Sequence, residues 1–256
     1  PGNSGGALVD VNGDLIGINT SILTRSGGSN GIGFAIPSKL VGQFVEQARA
    51  GYDSFQRPWA GMFGQPVDAD MADGLGLDRP GGIVVSDMHA VSPFKAAGLE
   101  AGDVILEVDG QPVNTPAEMV FRMSVVGLGK EAKVLVVRDG AEAVYDVALA
   151  PAPEAPARET VETGDKSAIP GLVVSNINPA VLGQYGLPLS IAGVVVENPG
   201  QVGARLGLNP GDVLRAVDGN DVNTTKEVDQ ALRKAKKRLT LEVQRGTQRV
   251  VMRFRL

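Results

Sequence analysis

The stretch AGLEAGDVI at Ala97–Ile105 returns as LGLNPGDVL at Leu206–Leu214. Downstream of each copy, at constant spacing, come the tripeptides VDG and VNT, which begin at Val108 and Val113 in the first copy. A long internal match of this kind indicates two copies of one structural unit. We call residues 57–149 the first repeat and residues 168–256 the second repeat.

Each repeat carries its own local folding signals. An Asp-Gly pair between β-branched strands is typical of a two-residue hairpin turn. A Thr followed three residues later by Glu predicts a capping box that starts a helix. The residues are Asp109-Gly110 and Asp218-Gly219 for the turns, and Thr115 with Glu118 and Thr224 with Glu227 for the helices. Each repeat is therefore expected to be a small β-rich module with a helix.

The chain starts with PGNSGG, in which Ser4 is flanked by glycines. A serine nucleophile needs a sharp turn that exposes its hydroxyl, and backbone N–H groups that face the developing oxyanion. Glycines permit such a turn and leave room for a substrate carbonyl. Ser4 is thus a candidate nucleophile, with the N–H groups of Gly2 and Ser4 as a candidate oxyanion hole. A glycine-rich turn with an incidental serine is the alternative that these few residues leave open.

The residues after Ser4 predict a short β-rich segment. Asn12-Gly13 predicts a two-residue turn between strands 7–11 and 14–20. A Gly- and Ser-rich loop follows over 21–31, then a strand over 32–36. Apolar residues from Leu40 to Ala48 recur at helical spacing, and Gly51 is expected to stop that helix.

The wording GNSGGAL, GINT and GIGFAIPS over residues 1–40 resembles the HtrA/Deg serine endopeptidases, which are trypsin-like proteases followed by PDZ domains. The repeat signature AGLxxGDVIxxVDGxxV is similar to the PDZ domains of the same family. The resemblance implies a mainly β fold with α (α+β). It would contain part of a trypsin-like β-barrel over 1–51, PDZ domain 1 over 57–149 and PDZ domain 2 over 168–256. Residues 150–167 are rich in Pro, Ala and Glu, and we expect a semi-extended linker there.

The resemblance also implies roles for particular residues. In the family, the loop that matches residues 21–32 borders the primary specificity pocket, which suggests Ser21 and Ile22 as specificity-loop residues. A plain surface loop is the alternative.

A PDZ domain binds an extended peptide as an added strand, and a loop of backbone N–H groups captures its terminal carboxylate. Trp59-Ala60-Gly61-Met62 matches that loop in the first repeat, with Met119 and Met123 expected to line the pocket for the last side chain. Ordinary core packing is the alternative for both methionines.

The second repeat has Ile169-Pro170-Gly171-Leu172 at the matching positions, with Val228 and Leu232 on the helix. Proline has no N–H group. One carboxylate donor would therefore be lost if Pro170 occupies the place of Ala60. We expect the second domain to bind C-terminal peptides more weakly than the first, or not at all.

The chain has one histidine, His89, in the loop DMHAVSPF of the first repeat. A serine nucleophile needs a general base that a third group orients. In trypsin-like proteases both partners precede the serine, and only three residues precede Ser4 here. We expect His89 to be an ordinary loop residue, half of the protease fold to be missing, and this chain alone not to hydrolyse peptides.

Composition excludes several functions. A net charge of −5 argues against nucleic acid as the main partner. No apolar stretch is long enough to form an integral membrane segment. The absence of cysteine excludes disulfides and a cysteine nucleophile, and a single histidine with scattered acids predicts no metal site. No cofactor is implied.

The resemblance implies a serine endopeptidase that cleaves unfolded or damaged proteins in the bacterial cell envelope, in the periplasm. The first PDZ domain would bind apolar C-terminal peptides, and the full-length protein would be a homo-oligomer, a trimer or larger. Two rival interpretations stay open. One is a non-catalytic PDZ adaptor or pseudoprotease, and the other is chaperone-like holding of unfolded chains without cleavage.

Overall fold

The computed structural model describes residues 2–22, 33–235 and 238–255, which form two compact units over 1–151 and 152–256. Strands predominate and short helices lie between them, which confirms the expected α+β class. Across these described ranges, no helix is long and apolar enough to cross a membrane. Most of the loop expected over 21–32 lies outside the described residues.

The first unit begins with a three-stranded antiparallel sheet in the order β1-β2-β3, followed by helix α1. Several apolar side chains of this sheet are exposed, among them Val9, Ile16 and Phe34. The elements are β1 (Ala7–Val9), β2 (Leu15–Ile22), β3 (Gly33–Pro37) and α1 (Ser38–Arg49). We call β1–β3 the N-terminal sheet.

The turn between β1 and β2 differs from the two-residue turn that Asn12-Gly13 predicts. The loop closes between Asp10 and Asp14, whose N–H and C=O groups are hydrogen-bonded at 2.9 Å. The Asp10 carboxylate accepts from the N–H groups of Asn12 and Asp14 at 2.8 and 2.9 Å. Only Gly13 has a positive φ, whereas a type I′ turn needs one at Asn12 as well. The carboxylate of Asp10 therefore selects a three-residue loop.

The first repeat folds as a sheet in the order β4-β5-β6-β8-β9, with β7 paired to β6. Helix α4 covers one face of this sheet. Its core contains Ile83, Phe94 and Ile105, all fully buried. The elements are β4 (Met62–Pro66), α2 (Ala69–Gly74), β5 (Ile83–Met88), α3 (Pro93–Ala96), β6 (Val104–Val108), β7 (Gln111–Pro112), α4 (Pro116–Val126), β8 (Glu131–Arg138) and β9 (Ala141–Ala148).

The second unit has the same architecture with one more strand, in the order β10-β11-β12-β13-β15-β16 and with β14 on β13. The predicted Asp-Gly turns are confirmed in both repeats by positive φ at both turn residues. The predicted capping box is confirmed at α7, whereas at α4 Thr115 caps the helix but the Glu118 carboxylate accepts from the N–H of Asn114. The elements are β10 (Val161–Glu162), β11 (Val173–Asn176), α5 (Pro179–Tyr185), β12 (Val194–Asn198), α6 (Gly200–Arg205), β13 (Val213–Val217), β14 (Asn220–Asp221), α7 (Thr225–Lys234), β15 (Arg238–Arg245) and β16 (Gln248–Arg255).

The segment expected as a semi-extended linker over 150–167 requires a correction. From Ala152 onward it belongs to the second unit, where it contributes β10 and buries Thr163. Arg158 forms an ion pair with Glu154 at 2.7 Å, and this hydrogen bond holds the pKa of the Glu154 carboxyl below its usual value. The sequence did not predict these contacts because they are made mainly by backbone and polar groups. Such contacts leave no periodic pattern of apolar residues in the segment.

The repeat motif Gly-Asp-Val has a structural reason that is the same in both copies. Asp103 is 1% exposed and forms an ion pair with Arg138 at 2.6 Å. Its other oxygen accepts from the N–H of Glu100 at 2.8 Å. In the second copy Asp212 pairs with Arg245 in the same way. The buried carboxylate thus ties the turn before β6 or β13 to the end of the neighbouring strand, β8 or β15.

We expect Asp103→Ala to lower the Tm of the first repeat by about 10 °C, because the N–H of Glu100 and the guanidinium of Arg138 lose their buried acceptor together. Asp146→Ala is the matched control, because its ion pair with Lys133 has a carboxylate that is 58% exposed. Its Tm should fall by no more than about 2 °C. Trp59, the single tryptophan, reports unfolding of the first repeat by fluorescence. Equal losses of Tm in the two variants would contradict the structural role of Asp103.

Candidate functional site: the Ser4 turn and two peptide grooves

Ser4 lies at the centre of a tight turn that the following glycines make possible. The N–H of Gly6 donates to the carbonyl of Asn3 at 3.0 Å, and Gly5 has a φ of +82°. A turn with a positive φ at its third residue is a type II turn, which favours glycine there. The N–H of Gly5 donates to Asn19 in β2 at 2.8 Å, which anchors the turn to the N-terminal sheet.

The turn presents both the hydroxyl and the backbone donors of the candidate catalytic site. Ser4 is exposed, and its Oγ donates to the carbonyl of Thr20 at 2.7 Å. Among the described residues, the N–H groups of Gly2 and Ser4 have no hydrogen-bond acceptor. Two unpaired donors beside a serine hydroxyl are what an oxyanion hole requires.

A cavity of about 250 Å³ adjoins this turn. It is lined by residues 2–4, by residues 19–21 of β2 and by Gly33 and Phe34 of β3. The structure therefore brings Gly2, Ser4 and Ser21 together around one cavity. Ile22 ends β2 opposite Gly33. The assignment of Ser21 and Ile22 to a specificity loop stays a prediction.

His89 belongs to a different site. Its backbone N–H donates to the carbonyl of Gly61 at 2.8 Å. Its ring contacts the ring of Trp59 edge-on, with the two ring centroids 5.6 Å apart. Within the described ranges, no histidine or carboxylate side chain lines the cavity beside Ser4. Ser4 consequently has a hydroxyl and candidate oxyanion donors, but no base among the residues that the structure describes.

Hydrogen bonds to its carbonyl groups fix the loop Trp59–Met62 of the first repeat in place. The hydroxyl of Ser92 donates to the carbonyl of Ala60 at 2.7 Å, and His89 holds the carbonyl of Gly61. The N–H of Trp59 donates to Ala150 at 2.9 Å. In the described part of the chain, the N–H groups of Ala60 and Gly61 have no acceptor. Adjacent unpaired N–H groups form a concavity that suits a carboxylate.

Gly61 meets two steric conditions in this loop. Its φ is +61°, in the left-handed region. A Cβ built on Gly61 would lie 2.7 Å from the Trp59 ring, closer than real Cβ contacts. The indole thus packs directly against the backbone of the loop, and a larger residue must displace it.

Strand β4 follows this loop and is an edge strand, because β5 is its one partner among the described strands. Met62 at its start is half-buried. Met119 and Met123 on α4 are buried in the core cluster together with Ala60, and they are 2% and 0% exposed. The structure therefore places both methionines in the core of the first repeat, and their role in binding a peptide side chain stays a prediction.

The second repeat has the same loop with different hydrogen bonds. Gly171 has a φ of +74°, matching Gly61. Its N–H group and that of Leu172 donate to the carbonyl and hydroxyl oxygens of Thr163. The other proposed groove residues are fully or almost fully buried in the core: Ile169, Leu172, Val228 and Leu232.

Sequence reasoning missed two supporting features. Ser92 precedes Pro93 and caps α3, which is a recognisable helix-start signal, but its bond to Ala60 joins residues far apart in sequence. No sequence pattern predicted the contact of Thr163 with the Gly171 loop, because Thr163 lies in a stretch of polar and small residues.

PDZ domain models match residues 45–149 and 193–245 of this chain. The first covers the whole first repeat, and the second covers the central part of the second repeat. The match agrees with the observed sheets and their shared turn and capping geometry.

Among the curated relatives, a probable periplasmic serine endoprotease DegP-like of Halomonas elongata is 33% identical over 233 residues. That match covers 91% of this chain and 48% of the relative. A probable periplasmic serine protease do/HhoA-like of Haemophilus influenzae is 32% identical, with 96% and 50% covered. The chain therefore spans about half the length of these relatives.

Among solved structures, the HtrA-type protease AlgW with a decapeptide is 38% identical. That match covers 60% of this chain and 47% of the other, with a TM-score of 0.41. A serine endoprotease from Yersinia pestis is 31% identical with a TM-score of 0.34.

Proposed function

Because this chain is a homologue of the HtrA/DegP-type serine proteases over about nine tenths of its length and carries two PDZ domains, we propose that the whole protein is a serine endopeptidase with Ser4 as nucleophile. The observation that carries the proposal is the Ser4 turn, where an exposed hydroxyl adjoins one cavity together with the N–H groups of Gly2 and Ser4, which are unpaired among the described residues.

In the proposed reaction, Ser4 Oγ attacks the carbonyl carbon of a peptide bond. The N–H groups of Gly2 and Ser4 stabilise the oxyanion that forms. A histidine from the part of the protein before Pro1 takes the hydroxyl proton and passes it to the leaving amine, and an aspartate orients that histidine. Water then hydrolyses the acyl-enzyme. For attack, the hydroxyl of Ser4 must leave the Thr20 carbonyl to which it now donates.

The exposed apolar side chains of the N-terminal sheet support the same proposal. An exposed apolar patch of this kind is normally covered by another layer of structure. In a trypsin-like protease this layer would be the rest of the barrel, which would also supply the histidine. The proposed domains are the protease part over 1–51, PDZ domain 1 over 57–149 and PDZ domain 2, which starts at Ala152 rather than residue 168.

The proposed substrates are unfolded or damaged proteins in the periplasm, consistent with the periplasmic relatives. The first PDZ domain would bind apolar C-termini at Trp59–Met62, and two features support this. The N–H groups of Ala60 and Gly61 are preorganised and unpaired among the described residues, and β4 presents an edge for an added strand. A homo-oligomer, trimeric or larger, is part of the same proposal.

The test is covalent labelling of Ser4 by a fluorophosphonate, which reacts only with a serine activated by a base. We expect labelling of Ser4 in the whole protein and none in the 256-residue chain. The 256-residue chain should stay unlabelled because its one histidine, His89, contacts the Gly61 loop and does not line the cavity beside Ser4. Labelling of neither protein would favour the PDZ adaptor, and labelling of the isolated chain would show that another group activates Ser4.

A further inference from the structure

The second PDZ domain has a strand at the sheet edge that is open in the described residues of the first. Strand β10 pairs antiparallel with β11, with Val161 opposite Val174 and Glu162 opposite Val173. Strand β11 follows the Gly171 loop as β4 follows the Gly61 loop, and β4 is an edge strand. A peptide ligand of a PDZ domain would add as a strand at this edge. Strand β10 therefore lies where such a peptide would lie.

The end of this strand reproduces the contacts of a terminal carboxylate. The N–H of Gly171 donates to the carbonyl oxygen of Thr163 at 2.8 Å. The N–H of Leu172 donates to the Thr163 hydroxyl at 3.0 Å. Two oxygens of one residue thus accept from two consecutive loop N–H groups. The N–H of Thr163 donates to the carbonyl of Leu172 at 2.9 Å, as the last residue of an added strand would.

The preceding residues contact both walls of the groove. On the sheet side, the N–H of Asn176 donates to the carbonyl of Arg158 at 2.7 Å. On the helix side, the hydroxyl of Thr225, the first residue of α7, donates to the carbonyl of Glu159 at 2.9 Å. The stretch from Arg158 to Thr163 therefore lies between β11 and the start of α7. We call these six residues the occupying segment.

The occupying segment is anchored at both ends. Arg158 forms ion pairs with Glu154 at 2.7 Å and Glu197 at 3.3 Å. Thr163 is 2% exposed, and its hydroxyl donates to the carbonyl of Ile169. Val161 packs against the core cluster of the second domain. The polar and apolar contacts of the occupying segment match those expected of a bound peptide.

We propose that the occupying segment, residues 158–163, is a built-in ligand of the peptide groove of the second PDZ domain, and that an external C-terminal peptide binds there only by displacing it. The segment is joined to the loop by only Gly164–Ala168, so its effective concentration at the groove is high, roughly millimolar or more. The apparent Kd of an external peptide is then the Kd for the open groove divided by the fraction of molecules in which the groove is open. This inference does not depend on cleavage by Ser4.

The structure thereby offers a second cause for weak binding by this domain. The absence of an N–H group at Pro170 would weaken peptide binding permanently. Occupation by residues 158–163 would instead hide a competent groove, because the N–H groups of Gly171 and Leu172 would become free to bind a carboxylate once Thr163 leaves them. The two causes differ in what happens when the segment is released.

The test uses the whole chain, labelled with nitrogen-15, and the amide signals of Gly171 and Leu172 in NMR spectra. The probe is the peptide Arg-Glu-Thr-Val-Glu-Thr with a free C-terminal carboxylate, the segment's own sequence. Thr163→Pro removes the N–H that pairs with Leu172 and should release the segment. Glu162→Ala is the matched control, because it changes an exposed side chain and keeps every backbone donor.

In Thr163→Pro we expect the peptide to shift the Gly171 and Leu172 signals with a Kd at least about 10-fold lower than in the unchanged chain or in Glu162→Ala. The same peptide with a C-terminal amide should bind more weakly to the variant. Equal Kd values in the variant and the unchanged chain would overturn the proposal. So would a folded Thr163→Pro chain that binds no peptide, since β10 would then be a purely structural strand.

Hydrogen exchange of the unchanged chain gives a test that needs no variant. We expect the amide of Thr163 to exchange through local opening at least about 10-fold faster than that of Val196, which donates to Asp212 inside the sheet. Equal exchange of the two amides, through unfolding of the whole domain, would show that the segment does not leave the groove and would overturn the proposal.

Discussion

Ser4→Ala in the whole protein is expected to lower the rate of casein cleavage by at least about 10,000-fold. Removal of Oγ deletes the atom that forms the acyl-enzyme, and single removal of a serine nucleophile abolishes nearly all the catalysis of a triad. The turn itself should survive, because its hydrogen bonds are made by the backbone of Asn3, Gly5 and Gly6. Casein cleavage followed by release of acid-soluble peptides measures the effect.

Ser86→Ala serves as the matched control, since Ser86 is an exposed serine in β5 of the first PDZ domain. It should cleave casein at the unchanged rate. Cleavage that persists in Ser4→Ala would refute the assignment of the nucleophile. No cleavage by the unchanged protein, combined with suppression of aggregation that survives Ser4→Ala, would support the chaperone-like alternative.

Gly61→Ala is expected to weaken binding of an apolar C-terminal peptide to the first PDZ domain by about 10-fold or more. The added Cβ would lie 2.7 Å from the Trp59 ring, so the indole or the loop backbone must move. Either movement misaligns the N–H groups of Ala60 and Gly61, and a hydrogen bond to a charged group contributes about 1.5–3 kcal/mol. The change in fluorescence of Trp59 on titration with the peptide measures the Kd.

Gly110→Ala is the matched control for this substitution. Gly110 has a φ of +68°, close to that of Gly61, and no heavy atom lies within 4 Å of a Cβ built there. Both variants therefore carry similar backbone strain, and only Gly61→Ala disturbs the indole. Equal peptide affinity in the two variants would contradict the proposed carboxylate loop. A peptide with a C-terminal amide should bind the unchanged domain poorly.

Much of the fold could be predicted because its signals are local. Asp109-Gly110 and Asp218-Gly219 form their turns because two consecutive positive φ values are needed and these residues tolerate them. Thr115 and Thr224 cap their helices through neighbours three residues away. The predicted two-residue turn at Asn12-Gly13 failed because the Asp10 carboxylate accepts from two backbone N–H groups of the same loop.

The sites were predictable only where the chain itself brings the parts together. Ser4 and its glycines are contiguous, so their composition indicated a turn, and Trp59–Met62 was assigned as a carboxylate loop through its resemblance to the family's loop pattern. Ser92 and His89 hold the Gly61 loop from about thirty residues away. Burial of Met119 and Met123 likewise depends on which face of α4 meets the sheet, and their type allowed either outcome.

The sequence by itself determined the two repeats, their turns and helix caps, and the glycine-rich turn around Ser4, because these depend on φ values and on hydrogen bonds between residues close in the chain. Only the tertiary structure decided that residues 158–163 lie along β11 at the edge of the second domain's sheet. Those residues carry little apolar pattern, and they are held by backbone donors of Gly171, Leu172 and Asn176 that become available as an edge only when the sheet has formed.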